Sequence, residues 1–215
     1  MLEINEDIPF LWRLSSENEQ GFSLVSMVIP ISGSQNLEHT IQTDIVSFNG
    51  EQDVEAEETL EWNEEDLSLF LKLLNAKGSG AHGSESIRTY KVDLSDPDTI
   101  EIVHIVAAAG FGMALTVDDL LVNDPGDSLK VAAEPDIGAQ VTLHTVDGYK
   151  RGVVVGNEEE DDSVVCVMLD GIRQPADHQS QLSDIHPHDL VVVKPHNLLS
   201  PLYSSREPQP HDVLH

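Results

Sequence analysis

Histidine is the residue type in this chain with the clearest chemical potential. Seven of the ten histidines lie from residue 144 onward, and His186-Pro187-His188-Asp189 has the ligand types of half a zinc site. Structural and catalytic zinc sites use three or four ligands at regular spacing, and no cysteine stands near this segment to complete one. We therefore expect no metal and no other cofactor, with His186 and His188 as the first residues to test.

Catalytic signatures are absent from the sequence. The single cysteine, Cys166, lies in an apolar run from Val164 to Met168, where burial would raise its thiol pKa and make packing its role. A lone cysteine also forms no internal disulfide, which favours a reducing, cytoplasmic location. The sequence contains no glycine-rich phosphate loop, nucleophile elbow or HExxH helix. We expect a protein without enzymatic activity.

Acidic residues dominate the charge of the chain. It carries 39 Asp and Glu against 11 Lys and Arg, a formal charge of -28, and nine of the sixteen residues from Glu51 to Asp66 are acidic while none is basic. Such a surface repels nucleic acid phosphates and anionic membranes and attracts basic proteins. The charge predicts no direct nucleic-acid binding and no membrane association. Adaptation of a whole proteome to a salty cytoplasm would give the same composition, and both explanations remain open.

Two acidic segments are the candidate contact surfaces for a basic protein partner. The first is the acidic strip, with Trp62 as its hydrophobic anchor and these carboxylates: Glu51, Asp53, Glu55, Glu57, Glu58 and Glu61. The second is the acidic tip of a predicted hairpin, formed by Glu158, Glu159, Glu160, Asp161 and Asp162. The adjacent bases Lys150 and Arg151 are expected to pair with this tip across the hairpin. A solvated face is the alternative interpretation of both segments.

Hydrophobic patterning gives the N-terminal part strands and helices. Residues 22–30 and 40–48 read as a hairpin joined by turn residues at 33–36, and residues 87–94 read as a further strand. Asn63 caps a helix that ends near residue 76, with acids in its first turn and a stripe of Leu67, Phe70, Leu71 and Leu74. A second, nearly all-apolar helix runs from 97 to 109 and ends at Gly110. Thr116 caps a third, short helix.

The C-terminal part has a different character. After a linker at 123–136, four short strands lie near 141–145, 152–155, 164–169 and 190–193 without a helix between them. Asp147-Gly148 and Asp170-Gly171 are tight-turn dipeptides. Closely spaced strands of this kind are typical of a small barrel. The proline-rich segment 196–215 reads as a flexible tail.

Two segments resemble known families. Residues 137–193, with Gly138-Ala139-Gln140-Val141, Gly152-Val153-Val154-Val155-Gly156 and the stretch from Asp184 to Val193, resemble a Src-homology-three-like small barrel of the Tudor, KOW and photosystem-subunit kind. Such barrels bind RNA, methylated tails or other subunits. The acidic tip disfavours RNA, and Tyr149 alone makes no aromatic cage. Residues 98–121, preceded by the helix from Leu67 to Leu74, resemble the leader domain of nitrile-hydratase-type leader peptides, which implies a helical docking unit.

These observations predict an α+β protein: an N-terminal hairpin-plus-helices unit at 1–122, the linker at 123–136, a small antiparallel β-barrel at 137–195 and the tail at 196–215. The predicted function is that of an acidic adaptor, assembly or regulatory factor that docks a basic protein. The alternative is a nucleic-acid mimic that inhibits a DNA-binding protein and spaces its carboxylates like phosphates. The sequence leaves the oligomeric state open.

Overall fold

The structure is a computed structural model, and it describes residues 2–4, 10–16, 21–30, 38–48, 58–77, 90–122, 135–158, 161–174 and 184–201. The chain divides into two compact units, Met1–Gly112 and Met113–His215. Both units contain strands, and the two α-helices of the described residues lie in the first, as an α+β protein requires. Neither of these helices combines the length and the apolarity needed to cross a bilayer.

The first unit is built on a four-stranded antiparallel sheet. In chain order its elements are β1 (Leu2–Ile4), β2 (Leu11–Leu14), β3 (Phe22–Pro30), β4 (Glu38–Phe48), β5 (Glu58–Glu61), α1 (Glu64–Ala76), β6 (Tyr90–Val92) and α2 (Pro97–Phe111). The sheet has the order β4-β3-β2-β5, and β1 pairs separately with β6. The predicted hairpin at 22–30 and 40–48 is confirmed as β3 and β4. Its turn at 33–36 lies outside the described residues.

Helix α1 begins at its predicted cap, and its buried face overlaps the predicted one in part. Asn63 caps the helix, and the first turn holds the three expected acids. The buried positions include Leu69 and Leu73, whereas Leu67 and Leu71 are only half-buried. The predicted stripe was therefore half right: Phe70 and Leu74 are buried as predicted, and Leu69 and Leu73 are buried where Leu67 and Leu71 were expected. The buried face also includes a polar residue, Asp66, at its start, which a stripe of apolar residues leaves out.

Helix α2 is longer than its sequence indicates. It extends from Pro97 to Phe111 with Gly112 as its C-terminal cap, so Gly110 lies within the helix and does not end it. The ring of Phe111 contacts the ring of Trp12 edge-on, with centroids 5.6 Å apart. This packing on the first unit's core explains why the helix continues past the glycine, whose cost in a helix is only about 1 kcal/mol.

The second unit contains a six-stranded sheet. Its strands are β7 (Ala114–Thr116), β8 (Gln140–Thr145), β9 (Gly148–Glu158), β10 (Ser163–Met168), β11 (Leu190–Val193) and β12 (Leu198–Leu199), in the order β12-β8-β9-β10-β11-β7. All neighbours are antiparallel except β7 and β11, which are parallel. Among the described strands, β12 and β7 are two separate ends of this order. Closure into a barrel therefore stays a prediction.

The boundary between the units lies at Gly112, not at residue 122 as predicted. Strand β7 pairs with β11, and the short 3₁₀ helix Asp118–Leu120 follows it where a capped α-helix was expected. Leu120 is fully buried in the core of the second unit. The predicted tail was also wrong in its first residues, because β12 pairs with β8 and Leu198 is buried. Residues 123–134 and 202–215 lie outside the described part of the chain.

Candidate functional site

The acidic strip begins, in its described part, with a strand. Glu58 and Glu61 lie in β5, and all four residues of this strand are exposed. The next acids of the run belong to the first turn of α1. The strip's predicted contact residues outside the described part of the chain are Glu51, Asp53, Glu55 and Glu57. The strip thus comprises two structurally different segments, and only the strand has all its residues exposed.

Among the described strands, β5 is an edge of its sheet. It pairs with β2, in a register from Leu11 opposite Glu61 to Leu14 opposite Glu58. Because side chains alternate along a strand, Glu58 and Glu61 project from opposite faces of the sheet. No Lys, Arg or His in the described residues forms an ion pair with either of them. Within the part of the chain that the structure describes, their charges are therefore not neutralised by an ion pair.

Trp62 packs inward from the end of β5. Its ring lies 4.7 Å from Trp12, 4.8 Å from Phe10 and 5.3 Å from Phe70, measured between centroids. Its indole nitrogen is buried and has no acceptor among the described atoms. The tryptophan that the sequence offers as an exposed anchor is thus a member of an aromatic cluster beneath the strip. A role for its remaining exposed edge in binding stays a prediction.

Asp66 joins this aromatic cluster to the helix start. Its Oδ2 accepts a hydrogen bond from Trp12 Nε1 at 3.1 Å and another from the Asn63 backbone N–H at 3.2 Å, while Asn63 Oδ1 accepts from the Asp66 N–H at 2.8 Å. Burial raises the pKa of the Asp66 carboxyl, although the two donors counteract part of that effect. This acid is structural. The capping signal identifies it in the sequence, but nothing local indicates its indole partner.

The acidic tip forms the connection between β9 and β10. Glu158 ends β9, Asp161 and Asp162 lie in the turn, and Glu159 and Glu160 are outside the described residues. The base at this tip is Lys194, which donates to the backbone oxygen of Asp161 and to Ser163 Oγ.

The expected pairing of Lys150 and Arg151 with this tip was wrong. Lys150 instead contacts Asp147 at 2.7 Å, and Arg151 contacts Asp170 at 2.7 Å. Lys150 and Arg151 lie near the start of β9 and Glu158 ends it, so seven or eight residues of extended strand separate the two bases from the acidic tip.

The histidine segment forms a turn that is fixed by its own acid. The backbone N–H of His186 donates to Asp189 Oδ2 at 2.7 Å, and its Nδ1 lies 3.7 Å from the same oxygen. His188 takes a left-handed backbone conformation with φ of 71°. His186 and Asp189 are therefore close to each other. The shorter of the two contacts is the hydrogen bond from the His186 backbone N–H to Asp189, and this bond fixes the turn.

A groove of about 670 Å³ lies beside this turn. Its walls come from the β8–β9 turn, the chain after β10 and the segment 184–187, and its lining includes Tyr149, Leu169 and Ile185. Asp184 Oδ1 accepts the Gln174 backbone N–H at 3.0 Å. No local pattern in the sequence indicates this groove, because the segments that form its walls are distant in the chain.

Two further aspartates of the groove have internal cationic partners. Asp147 accepts from Lys150 and from the Arg173 backbone N–H, and the bond from Lys150 is the main cause of its lowered pKa. Asp170 accepts three hydrogen bonds from Arg151, which lower the pKa of its carboxyl. Both groups are ionised at neutral pH and serve as ion-pair partners. They are unsuited to donate protons as general acids near pH 7.

Cys166 is a packing residue, as expected. It is fully buried in β10, and burial raises the pKa of its thiol to about 12. The thiolate needed for nucleophilic chemistry is therefore scarce at physiological pH.

A second exposed surface of the first unit is apolar. On one face of the β3–β4 hairpin, Leu24 lies opposite Val46 and Phe22 opposite Phe48, and the exposed fractions of Leu24 and Phe48 are 53% and 49%. The two phenylalanine rings lie 5.2 Å apart. The sequence signal for this surface is that apolar residues of β3 occur at both parities, which a strand with one solvated face does not require.

Comparisons of this chain with protein-family models, with curated proteins and with solved structures found no match.

Proposed function

We propose that this protein is a non-catalytic acidic adaptor, assembly or regulatory factor that docks a basic protein partner. The observation that supports the proposal best is β5, an exposed edge strand whose carboxylates, Glu58 and Glu61, form no ion pair within the described part of the chain. Exposed charges of one sign steer oppositely charged partners and raise association rates.

Other carboxylates of the chain have internal roles that account for them. Asp66 takes part in a helix cap, and Asp147 and Asp170 form ion pairs with bases beside the groove. Glu38 accepts hydrogen bonds from both terminal guanidinium nitrogens of Arg13. The acids of β5 differ in that none of the described residues forms an ion pair with them. This contrast favours an intermolecular role for β5.

The second unit extends the proposal. We assign it the small barrel that residues 137–193 resemble, with the acidic tip of Glu158 to Asp162 as a second contact for the same basic partner. The lone reduced cysteine is consistent with the cytoplasmic location that we propose.

The nucleic-acid mimic is less well supported by β5. A mimic needs a row of carboxylates along one face, spaced like phosphates. Glu58 and Glu61 project from opposite faces of the sheet, since they are three residues apart in a strand. A basic protein that approaches the edge can contact both of them.

The test is affinity capture from native lysate with three forms of the protein. These are the wild type, the double variant Glu58→Gln/Glu61→Gln and a control, Asp118→Asn/Asp136→Asn, which removes two exposed acids from the second unit. We expect a basic protein that the wild type and the control retain, and that the β5 variant and high salt both release. Capture of a DNA-processing enzyme that added DNA displaces would support mimicry instead. Equal capture by all three forms would contradict the assignment to β5.

A further inference from the structure

We propose that the edge of β5 that points away from β2 binds an extended basic segment of a partner protein as an additional strand of the four-stranded sheet. This mode of binding rests on the function proposed above and specifies how the acids of β5 meet their partner. Three features point to it: the edge position of β5, the direction of its backbone groups and the side chains that a fifth strand would face.

The direction of the backbone groups follows from one hydrogen bond. The Trp62 N–H donates to the Phe10 oxygen at 2.9 Å, which makes Phe10 and Trp62 a hydrogen-bonded pair of the β2–β5 ladder. Hydrogen-bonded and non-bonded pairs alternate along an antiparallel ladder. The backbone N–H and C=O groups of the even-numbered residues of β5 therefore point toward β2. Thr59 and Glu61 direct their N–H and C=O groups away from it.

The opposite side of β2 leads to the same assignment. The Ser15 N–H donates to the Leu24 oxygen at 3.0 Å, so the odd-numbered residues of β2 direct their backbone groups toward β3. Its even-numbered residues, Trp12 and Leu14, are left to bond β5. Within the part of the chain that the structure describes, no strand pairs with the outward groups of Thr59 and Glu61.

The side chains of β5 define the partner's chemistry. Glu58 and Leu60 share one face, Glu61 lies on the other, and Leu60 is 36% exposed beside Trp12 at the margin of the aromatic cluster. A strand alongside would place one basic residue next to Glu58, an apolar residue next to Leu60 and a second basic residue next to Glu61. Backbone bonds would supply affinity and these side chains specificity, as in other complexes formed by strand addition.

The probe is a blocked fluorescent peptide containing Lys-Val-Val-Lys, which presents this pattern in either strand direction. Its control is the same peptide with both valines N-methylated, which keeps the charge and removes backbone donors. On the protein, Thr59→Pro removes only an outward N–H, because Thr59 makes no ladder bond to β2, and proline is tolerated at such edge positions. Thr59→Val is the matched control that keeps the N–H.

Fluorescence anisotropy at low salt gives the dissociation constants. We expect Thr59→Pro and peptide methylation each to weaken binding about tenfold or more, and Thr59→Val to leave it unchanged. Circular dichroism checks that Thr59→Pro is folded. If it is not, the methylated peptide on the wild type decides.

Two other outcomes are distinguishable. Equal binding of the methylated and unmethylated peptides, with loss of both in Glu58→Gln/Glu61→Gln, would overturn strand addition and leave the acidic docking function intact. Unchanged binding of both peptides to Glu58→Gln/Glu61→Gln would overturn the docking function of β5 as well.

Discussion

The buried carboxylate of Asp66 offers the sharpest test of the first unit. Asp66→Ala removes the acceptor of the Trp12 indole N–H and one half of the capping box with Asn63. A buried donor left without a partner costs about 1–3 kcal/mol, and loss of a cap costs about 1 kcal/mol. The free energy of unfolding should therefore fall by roughly 2–4 kcal/mol in Asp66→Ala.

Asp66→Asn separates the acceptor from the charge. The asparagine oxygen can accept the Trp12 bond, while the buried negative charge is removed. The pKa of Asp66 is raised in the folded protein, chiefly by burial, so the protonated form is favoured there relative to the unfolded chain. Its contribution to stability is full below the ordinary aspartate pKa of about 3.9 and is lost as pH rises through the raised folded value. At neutral pH, Asp66→Asn should be as stable as the wild type or more stable.

Urea unfolding followed by tryptophan fluorescence measures both effects, because Trp12 and Trp62 are the only tryptophans and both lie in this cluster. The difference in unfolding free energy, Asp66→Asn minus wild type, should increase as pH rises from acid to neutral. Subtraction of the two curves removes the opposite contribution of carboxylates with lowered pKa. The reasoning would be refuted if Asp66→Asn were as unstable as Asp66→Ala at neutral pH, or if this difference fell with rising pH.

Three further results are expected elsewhere. Trp12→Phe should destabilise the first unit about 1.5–3 kcal/mol more than Trp62→Phe, because only the Trp12 indole donates to a buried carboxylate; equal losses by circular dichroism would contradict this. Asp170→Ala should cost about 0.2–1 kcal/mol at neutral pH by losing its ion pair with Arg151. The difference in unfolding free energy between the wild type and Asp170→Ala should shrink as the pH falls below the ordinary aspartate pKa and the wild-type carboxyl is protonated. Urea titrations that show the same difference at every pH would contradict this prediction. Cys166 should react with a thiol reagent only after unfolding; rapid labelling of the native protein at pH 8 would argue against its burial.

Local signals predicted the elements whose causes are local. The hairpin of β3 and β4 follows from alternation, and the start of α1 follows from Asn63 and the acids after it. The buried face of α1 was predicted only in part, at Phe70 and Leu74, because Asp66 points inward to meet an indole 54 residues earlier in the chain. A polar residue in a helix is predicted to face solvent when its buried hydrogen-bond partner is not known. The same limit applies to Gly110, whose helix continues toward the aromatic cluster.

Elements that depend on distant pairing were invisible in the sequence. Strand β5 has the sequence Glu-Thr-Leu-Glu, too short and too acidic to read as a strand, and it forms against β2 more than forty residues earlier. Strand β7 pairs in parallel with β11, and this moved the unit boundary to Gly112. For the candidate site, the sequence therefore supplied the charged residues. The sequence did not indicate that Glu58 and Glu61 lie in a strand, β5, at the edge of the described sheet.

The acids of this chain can be distinguished by the sign of their effect on folding. Asp170 and Glu38, each held by an arginine fork, stabilise the folded state, so neutralising them lowers stability. Glu58 and Glu61 gain nothing comparable, because folding places them on an edge among other acids with no cation in the described residues within ion-pair distance. Replacing both with glutamine should weaken binding of the basic peptide, and it should leave the free energy of unfolding unchanged or raise it. A binding surface is expected to contain residues whose neutralisation favours folding and impairs docking. If Glu58 and Glu61 were only part of a solvated face, Glu58→Gln/Glu61→Gln would bind the basic peptide as the wild type does, and so would Asp118→Asn/Asp136→Asn.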